Sequence, residues 1–164
     1  MSMLYLTLKY LHVIAAIFLF GFGMGSYLYL IAASRTANPD VIAQVARMVV
    51  RYDTWITTPA GCVQVITGYA LVRLSGLSLL TDWVLSSLVV FACVGALWLP
   101  VLVLQKRLER LAVAAVAGGV ALSEQFRVIY RAWFWMGVAG FFGMFVIVVM
   151  MVSKMTVWQV WRML

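Results

Sequence analysis

The sequence predicts an all-α fold: a transmembrane antiparallel four-helix bundle with a short cytoplasmic amphipathic helix between spans 1 and 2. Three observations predict it. Of 164 residues, 66% are apolar and only 10% are charged, with a mean hydropathy of +1.06; a typical soluble domain has roughly 25% charged residues. Four apolar stretches reach the about 20 residues needed to cross hydrocarbon. Basic residues gather on alternate connections, as they do in membrane proteins. A soluble chain of this size could not hide so much apolar surface without large exposed patches, so a single integral membrane domain over residues 1–164 is expected.

The first span is predicted over Leu4–Ala33. Ala32-Ala33-Ser34 superficially resembles a signal cleavage site, but the only early base is Lys9 and the apolar run beyond it exceeds twenty residues. A secretory signal needs a basic region before a short apolar core, so this segment is expected to stay as a helix. Asn38-Pro39-Asp40 reads as a helix start: a capping side chain, then proline, then an acid in the first turn. From Val41 to Tyr52, apolar Val41, Ile42, Val45, Met48 and Val49 alternate with Gln44, Arg47 and Arg51. That spacing predicts an amphipathic helix lying at the membrane surface and feeding the second span.

The second span is predicted over Asp53–Leu74. Pro59 cannot donate to the carbonyl of Trp55, so a kink is expected there, with Thr57 and Thr58 placed to satisfy the freed groups. The third span, Trp83–Leu104, contains Pro100 and should run on through Lys106-Arg107-Leu108-Glu109-Arg110 to a stop near Gly118-Gly119. Glu124, Arg127 and Arg131 lie on one face ahead of the fourth span, Ala132–Val152.

The net charge of +7 serves orientation. Arg35, Arg47, Arg51, Lys106, Arg107, Arg110, Arg127 and Arg131 border the first and third connections, against Lys9, Arg73, Lys154 and Arg162 on the other side. The excess puts those connections in the cytoplasm and both termini outside. No basic run with interleaved aromatics marks a nucleic-acid surface, so the expected surroundings are the lipid bilayer. Cys62 and Cys93 have no partner at metal-ligand spacing. The seven tryptophans fall mostly near span ends, as an interfacial belt.

Few residues can carry chemistry. His12, the only histidine, sits inside the first span on a face with Ala16, Leu19, Gly23 and Ser26. A neutral imidazole beside small residues suits a haem iron or another soft metal; it also suits a hydrogen bond across the bundle. Met150 and Met151 are expected at a comparable depth, making Met151 a candidate second axial ligand, and His with Met also suits Cu(I). Gln64 and Thr67 continue the polar positions of the second span and could line a quinone or tetrapyrrole pocket. Arg127 and Arg131 are candidates to clamp a propionate, phosphate or lipid headgroup. Asp53 is expected to pair with Arg51, Arg127 or Arg131. Gly21/Gly25 and Gly137/Gly140/Gly143 offer close-packing faces, which fit a homo-oligomer or a subunit of a larger membrane complex.

Three stretches in order carry a resemblance: Leu8-Lys9-Tyr10-Leu11-His12-Val13, then Arg51 through Gly61 with its Thr58-Pro59, then Gln125-Phe126-Arg127. Together with Val152-Ser153-Lys154 they resemble a family of small predicted bacterial inner-membrane proteins of unknown function. That family is similar to the HemJ-type protoporphyrinogen oxidases and, more loosely, to the copper-resistance protein CopD. The resemblance implies haem b on His12. The chain departs from the enzymes at Val84-Leu85-Ser86-Ser87, where they carry a lysine, at Leu97-Trp98-Leu99, where they carry a histidine, and at Tyr130-Arg131-Ala132. The expectation is therefore a small membrane protein binding haem b or quinone in electron transfer, or a non-catalytic subunit of a respiratory complex, rather than an enzyme in its own right.

Overall fold

A computed structural model describes residues 2–162. Among them the regular structure is helical: α1 Met3–Arg35, α2 Pro39–Tyr52, α3 Thr58–Leu74, α4 Asp82–Gly118, α5 Glu124–Ser153 and the short α6 Val157–Trp161, with a π-helical turn over Asp53–Thr57 between α2 and α3. α1, α4 and α5 are long and apolar enough to cross a membrane. The second predicted span is divided differently. α3 alone has 17 residues, and the π turn supplies the five more that complete Asp53–Leu74.

The helix ends follow from local chemistry. Ser2 Oγ accepts from the Tyr5 N–H, Asn38 Oδ1 from the Asp40 and Val41 N–H groups, and Ser123 Oγ from the Phe126 N–H, satisfying donors that a first turn leaves free. α4 runs through Pro100 and stops where Gly119 takes φ 60°, a left-handed conformation that costs glycine little. At 37 residues it is about 55 Å long, well beyond the about 30 Å of a hydrocarbon core. Lys106 to Arg110 lie in the surplus, at what is here called the arginine-rich end.

α2 does not stand apart as a surface helix. Tyr52, Asp53, Thr57 and Thr58 all keep right-handed helical backbone, so α2, the π turn and α3 form one continuous rod. Its buried stripe is Ile42, Ala43, Ala46 and Val49, whereas Val41 and Met48 are exposed. The alanines turn the stripe toward α4, whose Leu108 and Ala112 belong to the same cluster. Small residues on both sides let the helices close up, which gains more contact than a bulkier stripe laid on lipid.

The π turn answers to Pro59. A proline has no N–H for the helical ladder. Immediately before it, Thr58 directs both its backbone N–H and its hydroxyl to the Asp53 carbonyl, the hydroxyl at 2.7 Å. Thr57 does not serve the backbone as expected; its hydroxyl donates to Asp53 Oδ1 at 3.0 Å.

Packing pairs α1 with α3, α4 with α5, and α2 with α4 and α1. His12 meets Thr67 and Leu19 meets Gly61, while Val94 meets Gly143 and Lys154 lies over the Trp83 ring. The main core sits toward the arginine-rich end, around Tyr27, Leu30, Ile42, Val49, Leu108 and Trp133. Trp133 departs from the interfacial belt: it is fully buried against Tyr27 and Tyr130, whereas Trp55, Trp135, Trp158 and Trp161 are exposed. Gly137 receives the Tyr27 ring and Gly143 the Val94 methyl, so both are used inside the chain; Gly21 and Gly140 meet nothing within 4 Å.

Candidate functional site

α1 and α3 bring three of the sequence-predicted polar residues together. His12 Nδ1 lies 2.9 Å from Thr67 Oγ1, and His12 Nε2 lies 3.0 Å from Gln64 Nε2. The proton count follows from the partners. Thr67 has one hydroxyl hydrogen and directs it to the Val63 carbonyl at 2.6 Å, as polar residues in a helix interior often do. Its oxygen must then accept from His12 Nδ1–H. The lone pair is left on Nε2, where the Gln64 amide N–H donates. The network thus assigns a neutral imidazole with its proton on Nδ1.

Two further features shape this cluster. Gly68 sits under the ring: a Cβ there would lie 3.1 Å from His12 Cε1. Even a methyl group there would crowd the imidazole by a few tenths of an ångström. Gln64 Oε1 is buried and has no hydrogen-bond partner. A buried amide oxygen without a donor is uncommon, and it costs about 1–3 kcal/mol. His12 and Gln64 themselves are half-buried, while Thr67 is buried.

Met151, on α5, makes no hydrogen bond to this cluster. The partners of the His12 ring are Gln64 and Thr67, and on α5 it is Met150 that is fully buried while Met151 is half-buried. Arg127 and Arg131 are remote from His12. From His12 to Arg35, α1 extends about 35 Å at 1.5 Å per residue, and both arginines lie beside Arg35 at the far end, lining one cavity with it. One porphyrin cannot reach from His12 to those arginines. Arg127 also pairs with Glu124 at 3.1 Å, both side chains being exposed, a pair of small energetic weight.

Asp53 departs from its expected arginine partners. It is 2% exposed and accepts from Gln105 Nε2 at 2.8 Å and from the Thr57 hydroxyl. The reason is rotational: the π turn swings Asp53 inward to α4, whereas Arg51 and Arg127 remain on exposed faces. Gln105 was not singled out by sequence reasoning. Its only signal was a lone amide ending the apolar run of the third span, just before Lys106.

No curated protein and no solved structure matches the chain. A family match covers residues 6–155, nearly the whole length. The chain belongs to the family described as predicted integral membrane protein (DUF2269).

Proposed function

We propose that this chain is a small inner-membrane protein that holds the head group of a membrane quinone at His12, Gln64 and Thr67, as a component of electron transfer. The observation that carries the reading is the unpartnered Gln64 Oε1 beside His12. A quinol hydroxyl supplies the donor this oxygen lacks, and a quinone carbonyl accepts from the neighbouring amide N–H, so either redox state finds a partner. The cluster is half-buried, so an isoprenoid tail can stay in lipid while the ring enters between α1 and α3.

In this reading the helices form an antiparallel four-helix bundle. The pairings of His12 with Thr67 and of Trp83 with Lys154 support it. The arginine-rich end faces the cytoplasm, and both termini lie in the periplasm, as the charge asymmetry favours.

A second reading, b-type haem on His12, is supported by the Nδ1–H bond to Thr67, the contact that fixes the orientation of a ligating imidazole. The residues present fit haem less well. The Nε2 lone pair is already engaged by Gln64, and its partners include no second axial ligand. Oxidised and dithionite-reduced spectra of the purified protein separate the two. The quinone reading predicts no Soret band and a bleaching ultraviolet quinone band, lost in His12→Ala. A Soret band that His12→Ala abolishes would replace it with haem.

A further inference from the structure

The arginines at the opposite end form a site of their own. Arg35 at the end of α1 and Arg127 and Arg131 in the first turns of α5 line a cavity of about 520 Å³, within the range of small-molecule sites. Its walls are apolar, with Phe126 and Phe134 of α5 and Ile31 of α1 among them. Glu124 compensates Arg127. Among the described residues, Arg35 and Arg131 have no acidic group within ion-pair distance. Ser34, also on the wall, has a buried hydroxyl with no hydrogen-bond partner. Two uncompensated arginines and an idle donor thus line one cavity, whose other walls are mostly apolar apart from Arg127 and Tyr130.

We propose that this cavity binds the phosphate of an anionic amphiphile: Arg35 and Arg131 take the phosphate oxygens, Ser34 Oγ donates a further hydrogen bond, and the aromatic wall covers the first apolar segment. Guanidinium groups suit a phosphate because their paired N–H donors match two of its oxygens at once. The cavity exceeds the size of a bare phosphate ion, and its position at the helix ends puts it level with lipid headgroups, where acidic lipids concentrate cationic side chains. Neither His12 nor its partners take part, so this proposal stands or falls apart from the quinone reading.

The test titrates detergent-solubilised full-length protein with short-chain phosphatidylglycerol, short-chain phosphatidylcholine and inorganic phosphate, by calorimetry. Saturable binding of phosphatidylglycerol, weaker by tenfold or more in Arg35→Gln and Arg131→Gln and weaker also in Ser34→Ala, is the expected result. Arg107→Gln at the same end serves as the control and leaves it unchanged. Inorganic phosphate binding as tightly with the same arginine dependence overturns the amphiphile in favour of a soluble phosphate; arginine-dependent phosphatidylglycerol binding with no binding of inorganic phosphate assigns a lipid headgroup. Equal affinity for phosphatidylcholine overturns the proposal, and so does equal affinity in the arginine variants. Ser34→Ala removes only an unpartnered hydroxyl, so it remains readable should an arginine variant fold poorly.

Discussion

Replacing Gln105 by leucine is the sharpest probe of how the rod of α2 and α3 is held to α4. The two side chains have similar volume, so the change removes a hydrogen bond without opening a cavity. Gln105 is 3% exposed and its amide donates to Asp53 Oδ2 at 2.8 Å. Its loss leaves a carboxyl group that is itself 2% exposed with only the hydroxyls of Thr57 and Ser26 beside it. A buried polar group stripped of a partner costs about 1–3 kcal/mol, so Gln105→Leu should lose about 2 kcal/mol, roughly a 30-fold shift in the unfolding equilibrium. Asp53→Asn keeps an acceptor for Gln105 and should lose under about 1 kcal/mol. The double variant Asp53→Leu/Gln105→Leu should be less damaged than the losses of Asp53→Leu and Gln105→Leu added together, because with both partners gone neither is left facing the other unpaired and the Thr57 hydroxyl loses its acceptor only once. Unfolding in mixed micelles by SDS titration, followed by circular dichroism, reads these three and the Asp53→Leu single variant that closes the cycle. A Gln105→Leu variant within about 0.5 kcal/mol of wild type, or strictly additive losses, would refute the reasoning.

Four further outcomes are expected. Tyr27→Phe removes a 2.7 Å hydrogen bond to the Phe134 carbonyl and should cost about 1 kcal/mol in the same titration, whereas Gly137→Ala, which sets a methyl into the Tyr27 ring, should cost more than that, by the overpacking range of about 1–3 kcal/mol. Ser123→Ala removes the cap of α5 and should lose about 1 kcal/mol, read as a lower melting temperature. Arg47→Gln breaks an ion pair of 3.9 Å in which the arginine is largely exposed, so its stability should stay within about 1 kcal/mol of wild type.

How much was legible in the sequence depended on whether a local signal was enough. Asn38-Pro39-Asp40 and Gly118-Gly119 mark helix ends through the few residues around them, and α2 and α4 begin and end there. Glu124 and Arg127 pair at i, i+3 as their spacing implies. The membrane class followed from composition alone. What needed three-dimensional rotation was not legible. Pro59 announced a disturbance, but a π turn rather than a simple kink decided that Asp53 faces Gln105 and not an arginine. The spacing of α2 picked out Ile42, Val45 and Val49 correctly, but Ala43 and Ala46 rather than Val41 and Met48 complete the buried face, because α4 supplies the matching surface. His12, Gln64 and Thr67 were each visible as polar positions; that they share one network required knowing that α1 and α3 are neighbours. The charge count put Arg35 on the same side as Arg127 and Arg131, but that they line one cavity was not legible across nearly a hundred residues of chain.

The central claim is that Gln64 and His12 form a quinone head-group site, and direct binding of a short-tailed benzoquinol to the purified protein tests it most plainly. One saturable site is predicted for the wild type. Gln64→Leu removes the idle acceptor and the amide donor together, and losing hydrogen bonds worth about 1–3 kcal/mol corresponds to an affinity weakened by about 5- to 150-fold; Arg131→Gln, about 35 Å away along the helices, should bind as the wild type does. An affinity unchanged by Gln64→Leu would contradict the account.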